Sequence, residues 1–565
     1  MKNGKLWIAV FSLLIVAGGF RIAVAHWLPN DAPDDGRIYA QMARNVLEQH
    51  VYSHESAAPY APSLIRLPGY PLFLSTIYSI YGHTNNGAVR IVQALIDTAT
   101  CGLIALLAFY WQPDESRKRA SALAALVLAA VCPFTTIYAA TILTEVPTNF
   151  LVMAMLVAVT LAFRNERTTE GTEKDRRKKF TRPMLWWAVA GLIGGLAVMM
   201  RPDNGLFLAA VGITLVLAGF VRFWSAPAER SGDGALDNSG GSNAIQSGVA
   251  LRLPPRSKVL RTFIAAFVFS ITFAFVLTPW AIRNWREFHV FQPLSPAHAE
   301  MPGEFVPRGY MLWLRTWVDD ERYVAPFLWG LDSEPIDIDD LPPSAFDSPQ
   351  EKDRVAALLD KYNHADEENT DDQPDEDKPE DSDQSEQTDQ PEDQSDQTAA
   401  VEMTPEIDAG FAQLARERIS RHRFRYHVWL PIKRAETMWF DTHSQYWPFE
   451  GTLLPLEDLD YEHHQQYWLP LFAGLTVLYT LLGLAGSWVL WRARSFDARR
   501  WLMLVVLAIL LRLMLFSSLE NPEPRYLVEF FPFLSILGGI AIARIMAFFW
   551  GRSAMRSEPG AVATG

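Results

Sequence analysis

Apolar residues in this chain gather into long blocks separated by polar connections, and the length of the blocks decides its class. Ten of them, approximately 5-28, 88-111, 119-138, 145-163, 184-200, 204-222, 260-282, 467-491, 499-518 and 526-550, are long enough to cross a membrane as helices. A hydrocarbon core about 30 Å thick needs roughly 20 residues at the helical rise. A shorter run, Tyr70 to Tyr81, is too brief to span and predicts an interfacial helix. The expected fold class is all-α integral membrane: a multi-pass helical bundle of about ten spanning helices, with extracytoplasmic loops bearing amphipathic helices. Lys2, Lys5 and Ala23-Val24-Ala25 also give the first block the outline of a signal peptide. Arg21 interrupts the approach to that triplet, so the block is read as a retained span.

Orientation follows from lysine and arginine in the connections. With the N-terminus inside, the inner connections 112-118, 164-183, 223-259 and 492-498 are all basic, and 164-183 alone holds eight basic residues, including Arg176-Arg177-Lys178-Lys179. The outer connections are then 29-87, 139-144, 201-203, 283-466 and 519-525, and the short ones carry few positive charges or none. Both termini are expected in the cytoplasm of a bacterial-type inner membrane. Three regions result: 1-282, an N-terminal bundle with a first outer loop at 29-87; 283-466, a large extracytoplasmic loop; and 467-565, C-terminal helices with a cytoplasmic tail.

Charge changes this picture at one place. The chain carries a formal −14, but Ala365 to Ala400 contains 16 acidic residues and one lysine, so the rest is near neutral. From about 365 to 398 this segment has no means of burying a core and is expected to be a solvated, disordered insertion. Nothing in the remainder suggests a nucleic-acid partner. Cys101 and Cys132 both fall inside apolar blocks, where a small buried hydrophobe is the expected role. Asp337-Ile338-Asp339 has a spacing that can hold a divalent cation, but in so acidic a loop it is expected by chance. The neighbouring side chains of His463-His464 diverge, and no Gly-rich phosphate loop stands out. Neither a metal nor a cofactor is expected.

The polar clusters that solvation explains poorly all fall at the outer ends of predicted helices: Asp34-Asp35, Thr144-Glu145, Arg201-Pro202-Asp203-Asn204, Arg283-Asn284 and Glu523-Pro524-Arg525-Tyr526. Each alone also reads as a snorkelling or capping group. Charges near spanning helices cost several kcal/mol unless paired or hydrated, so their coincidence at one depth points to a shared site. Arg21 and Arg512, inside apolar blocks near that depth, read either as phosphate contacts or as internally paired groups.

In order along the chain, Asp35 four residues before Tyr39, Arg66-Leu67-Pro68-Gly69-Tyr70-Pro71, Thr144-Glu145, Arg201-Pro202, Pro279-Trp280-Ala281-Ile282-Arg283-Asn284 and Arg525-Tyr526 resemble the polytopic glycosyltransferases of the C superfamily. The resemblance is to the bacterial relatives of protein O-mannosyltransferases and lipid A aminoarabinose transferases, of the family 39 type. Two features depart from it: Asp35 is followed by Gly36 where relatives often have a second acid, and the acidic insertion has no counterpart.

The resemblance implies a membrane enzyme that moves a sugar from a polyprenyl-phosphate donor to a protein, lipid or cell-envelope glycan on the extracytoplasmic face. Asp35 would be the general base, with Asp34 as the competing carboxylate. Arg66 is the first candidate for the donor phosphate, with Arg283 and Arg525 behind it, and Tyr39, Glu145 and Arg201 complete the expected donor-binding set. Physical need agrees: a positioned carboxylate is worth about 10²- to 10⁴-fold for a weak hydroxyl nucleophile, and a departing phosphate needs fixed cations. The alternative from another class is a lipid-linked saccharide flippase, which would place polar groups at mid-membrane and show related halves. Asp97 is the main deep carboxylate, and no repeat is apparent.

In the large loop, Trp313, Trp317 and Trp329 are expected at the membrane interface or stacked on sugar rings. Thr404-Pro405 opens an expected amphipathic helix. Its stripe of Ile407, Phe411, Leu414 and Ile419 faces away from Arg416, Arg418, Arg421, Arg423 and Arg425, a pattern suited to an anionic membrane surface.

Overall fold

The structure is a computed structural model that describes residues 2–28, 34–166, 173–224, 256–364, 401–440 and 465–556. The described residues are helical with irregular connections and contain no strand. They divide into two compact units: Met1–Pro302 with Gln445–Leu513 and Leu527–Gly565, and Gly303–Ser444 with Met514–Tyr526.

The first unit holds the apolar helices. In chain order these are α1 (Lys2–Trp27), α2 (Asp34–Glu48), α3 (Gly69–Tyr81), α4 (Asn86–Trp111), α5 (Lys118–Ala130), α6 (Pro133–Ala139), α7 (Glu145–Asn165), α8 (Glu173–Met200), α9 (Gly205–Trp224) and α10 (Arg256–Phe288). After the second unit's helices come α15 (Gln465–Arg492), α16 (Phe496–Ser517) and α17 (Phe531–Arg556). Among the described residues nine helices are long and apolar enough to cross a membrane, or ten if the bent pair α5–α6 counts as one span. The protein is an integral membrane protein of all-helical, multi-pass fold.

The pair α5–α6 corresponds to the block expected at 119-138, and it is bent by 54°. Pro133 explains the break, because it holds Cys132 extended and cannot donate back to α5. Carbonyls freed at the break are taken by Arg21, which reaches Ala129 O at 3.0 Å and Ala130 O at 3.1 Å while its Nε meets Asp97 at 2.6 Å. Both side chains are buried, so of the two readings of Arg21 the internal pairing is the one observed. Close helix approach depends on small residues: a Cβ on Gly191 or Gly195 of α8 would collide with Phe269 and Thr272, or with Val276, on α10.

α3 forms as a helix with two unlike faces. Tyr70, Leu74, Ile77 and Tyr78 pack inward, whereas Leu72, Ile80 and Tyr81 present an exposed apolar edge. α2 was not expected as an element. Asp34 and Asp35 open this helix, where carboxylates suit the positive end of its dipole.

The second unit contains α11 (Arg308–Leu314), α12 (Pro349–Asn363), α13 (Pro405–Arg421) and α14 (Leu430–Phe440). Ser348 caps α12 through its Oγ to the Glu351 N–H at 3.2 Å, and Thr404 caps α13 through Ile407 N–H at 3.4 Å. The unit has its own core of Tyr310, Trp313, Trp317, Phe327, Tyr362 and Phe411. Two expectations are corrected here. Trp313 and Trp317 are core residues, at most 1% exposed, and neither anchors an interface nor stacks on a ligand; Trp329 alone of the three is exposed. Ile407, Phe411 and Leu414 of the α13 stripe are likewise spent on this core, and Arg418 is buried among the apolar residues it was expected to oppose. Its guanidinium reaches Glu351 at 2.5 Å, Ala345 O at 2.6 Å and Ser344 O at 3.0 Å. The acidic insertion lies outside the described residues.

Candidate active site

The first turn of α2 places Asp35 beside Arg66, with Oδ1 and Nη2 2.9 Å apart and each side chain about a quarter exposed. The side chain of Asp34 lies outside the described residues. Arg66 is carried by an irregular stretch, 50–68, whose backbone is tied down along its length. Asn45 of α2 donates to Ser53 O at 2.9 Å and Glu55 O at 2.8 Å, and Tyr52 OH donates to Arg66 O at 3.1 Å. Arg283, at the end of α10, donates to Ser63 O at 2.7 Å and lies over the rings of Tyr52, Trp280 and Phe288. Its guanidinium is thus engaged in holding the loop.

Gly69 fixes where this loop meets the bundle. A Cβ there would collide with the carbonyl of Met199, next to the last residue of α8, so only glycine lets Arg66-Leu67-Pro68 close down on the helix end. One residue beyond α8 stands Arg201. It pairs with Glu145 of α7 at 2.7 Å, Asp203 at 3.2 Å and Glu529 at 3.6 Å. Arg512 of α16 completes the network, with Asp203 at 2.5 Å, Glu529 at 3.1 Å and Asn204 Oδ1 at 3.2 Å. Three carboxylates thus share two guanidinium groups, almost wholly out of solvent.

Tyr39 stands between the two groups. It follows Asp35 by one helical turn, packs edge-on against Tyr70 at 5.1 Å, and feels the charges of Arg66 and Asp35 as well as those of Arg201 and Glu145. Burial pushes its hydroxyl up to about 12, with Arg66 opposing the shift and Asp35 adding to it. Tyr70 OH in turn donates to Gln93 Oε1 at 2.8 Å, and Gln93 Nε2 donates to Thr141 O at 2.7 Å, bracing the turn that leads into Glu145.

The sequence therefore names five residues that the structure brings together: Asp35, Tyr39, Arg66, Glu145 and Arg201. Arg283 reaches the same loop from behind. Arg525 belongs to the second unit, where it pairs with Glu523 at 2.8 Å and lies over the ring of Tyr526. Glu529 was missed, although a lone carboxylate between Val528 and Phe530 in an apolar run was a readable signal. Arg512 is internally paired.

One face of α7 remains incompletely used. Glu145, Thr148 and Asn149 share it by helical spacing, all are at most 1% exposed, and Glu145 Oε2, Thr148 Oγ1 and Asn149 Oδ1 take no hydrogen bond among the described residues. Asp337 turns its carboxylate back on the Asp339 N–H at 2.9 Å, and Asp339 pairs with Lys352 at 2.9 Å. Among the described residues no three His, Cys, Asp or Glu side chains come together as a ligand set for a metal.

No family model matches the chain, and no curated protein matches it. Among solved structures it is similar to the archaeal oligosaccharyltransferase AglB from Archaeoglobus fulgidus in complex with an inhibitory peptide and a dolichol-phosphate, at 12% identity and a TM-score of 0.49, over 99% of this chain and 53% of that one. It is also similar to ArnT from Cupriavidus metallidurans bound to undecaprenyl phosphate, at 13% identity and a TM-score of 0.35, over 99% of this chain and 82% of that one. The chain spans about half the length of the oligosaccharyltransferase structures it matches.

Proposed function

We propose that the protein transfers a sugar from a polyprenyl-phosphate-linked donor to an acceptor on a protein, lipid or cell-envelope glycan, at the extracytoplasmic face of a bacterial-type inner membrane. The supporting observation is the Asp35–Arg66 pair: an acid and a cation 2.9 Å apart and partly open to solvent, held by α2 and a braced loop beside a buried charge network. Such a pair provides both halves of the chemistry. Arg66 leaves Asp35 for the donor phosphate, which is a stronger partner for a guanidinium. The released carboxylate then accepts the proton of an acceptor hydroxyl as its oxygen bonds to the sugar C1. The C1–O bond to phosphate breaks in the same displacement, and polyprenyl phosphate departs against Arg66.

Glu145 orients Arg201 in this scheme, and Tyr39 stands beside the reacting groups. Arg283 acts as a positioning residue through the loop that carries Arg66.

The purified protein is to be incubated in bilayers with a labelled polyprenyl-phosphate sugar and a crude acceptor extract. Label should pass to the acceptor with release of polyprenyl phosphate. Movement of intact donor across the bilayer without cleavage would overturn the reading in favour of a flippase. The sidedness is tested in intact cells, where a cysteine reporter near Ser382 should be labelled from outside and one near Thr172 should not.

A further inference from the structure

The second unit contains a cavity of about 320 Å³ that the proposed transfer chemistry does not use. That volume lies within the range of small-ligand pockets, about 300–1,000 Å³. Its lining combines Pro335 and the aromatic residues Tyr323 and Phe327 with the charged residues Arg322, Glu334 and Asp340.

The aromatic wall is rigid. A π-turn over Ala325–Trp329, closed by Gly330 N–H to Ala325 O at 2.9 Å, drives Phe327 into the core, where Trp317 packs on it at 5.8 Å and Tyr310 OH donates to its carbonyl at 2.8 Å. Tyr323 leans on Trp317 at 5.5 Å, has the Arg322 guanidinium over its ring at 6.0 Å and stays half-buried, so the ring is fixed while part of it remains open to the cavity. The opposite rim, 332–336, is braced from behind. Asp332 adopts φ 62°, its N–H donates to Tyr362 OH at 2.8 Å, and Asn363 exchanges hydrogen bonds of 3.0 and 3.1 Å with the N–H and carbonyl of Ile336.

The polar groups differ in how they are engaged. Arg322 is held by Asp320 at 3.0 Å. The carboxylates of Glu334 and Asp340 are exposed and take neither a hydrogen bond nor an ion pair among the described residues.

We propose that this cavity binds the sugar ring of a non-acidic saccharide. A fixed aromatic face receives the C–H face of a pyranose, and free carboxylates accept hydrogen bonds from paired hydroxyls, or from an amino group, on its edge. The same carboxylates repel a uronic acid or a phosphate, because Arg322 is already neutralised by Asp320. The saccharide can come from the glycan acceptor or from the donor headgroup.

The first test is direct binding to the full-length protein in detergent, followed by saturation-transfer NMR. The probes are methyl α-mannopyranoside, methyl β-glucopyranoside, glucosamine, mannotriose and methyl β-glucuronide. At least one neutral or amino sugar should bind more tightly than the glucuronide. Tyr323→Ala should weaken it by about tenfold, and Asp340→Asn by about fivefold, with unchanged melting temperature. Absence of saccharide binding, preference for the glucuronide, or binding indifferent to both substitutions would overturn the assignment.

The second test rests on the proposed transfer reaction and decides the source: Tyr323→Ala should raise the apparent KM for acceptor if the acceptor's sugar sits here, and the KM for donor if the headgroup does. A protein that binds sugars but transfers none would leave the cavity assigned and the transfer reading refuted.

Discussion

Each unit buries a network of arginines and carboxylates, and the two are finished to different degrees. In the second unit Arg418 is buried against Glu351, Ala345 O and Ser344 O, while Arg421 takes the other Glu351 oxygen at 3.2 Å. This arrangement pins α13 to α12 and the loop before it; Asp347 of that loop adds pairs with Arg418 at 3.4 Å and Arg425 at 3.1 Å, and only its Oδ2, which faces Arg421 at 3.8 Å, takes no hydrogen bond within this group. In the membrane bundle Arg201 and Arg512 share Glu145, Asp203 and Glu529, yet Glu145 Oε2 and its neighbours Thr148 and Asn149 keep unused hydrogen-bonding atoms. A partly open pair, Asp35–Arg66, stands beside it across Tyr39. Buried polar groups are costly unless matched, so a network with one unmatched atom, already facing a cation, reads as structure, and one with several unmatched atoms on one helix face reads as a place that a ligand completes.

Substitutions can break that comparison. The largest effect is expected from Arg512→Met, which removes the nearer of the two guanidinium groups that Glu529 and Asp203 face. Removing one member of a buried ionic network costs about 3–5 kcal/mol, so folded protein should be nearly lost from membranes, as read by size exclusion of a fluorescent fusion. Arg418→Met should cost a similar amount in the second unit's thermal stability, while turnover per folded molecule stays near normal. If Arg418→Met instead abolished turnover in protein that remained folded, the distinction between the two networks would collapse.

Asp35→Asn comes next. It keeps size and hydrogen-bonding capacity but cannot take a proton at neutral pH, so kcat should fall by about 10²-fold or more with unchanged melting temperature and donor affinity. Asp34→Asn should cost far less. Retained turnover in both variants would sink the base assignment, and an inverted pair of results would move it by one residue. Arg66→Ala should raise the apparent donor KM by about tenfold and lower kcat as well, because the same guanidinium meets bound phosphate and departing phosphate.

How much of this was legible from sequence depended on the range of the interaction. The spanning blocks were readable because each carries its own 20-residue signal; the break at Cys132-Pro133 was not expected in the 119-138 block, although a proline inside the block marks it. Asp35, Arg66, Glu145 and Arg201 were named because ordered motifs marked them; their pairing needed the close approach at Gly69, which no local pattern reveals. Trp313, Trp317 and Arg418 were misplaced for one reason. Their loop folds a core of its own, and a tryptophan or an arginine on an amphipathic helix looks the same whether a membrane or a neighbouring helix covers it. Glu529 was overlooked because its arginine partners lie 328 residues away at Arg201 and 17 residues upstream, on the preceding helix, at Arg512, so only the fold pairs them.

The smallest effect is expected from removing residues 366–396. The two described ends of this stretch are fastened to one short loop: Asn363 bonds the backbone of Ile336, and the Met403 N–H donates to Asp332 Oδ1 at 2.7 Å. The fold therefore brings those ends to the same place whatever joins them, and the closure entropy of a flexible connection changes by only about 0.6 kcal/mol per doubling of its length. Shortening the connection should slightly favour the folded unit, and removing all 16 of the clustered acidic residues, together with Lys378, should lessen self-repulsion at low salt. Melting temperature and turnover of the deletion protein should match the parent within a few degrees and about twofold. Loss of saccharide binding with the fold intact would show instead that the acidic stretch takes part in the cavity whose rim its two ends support.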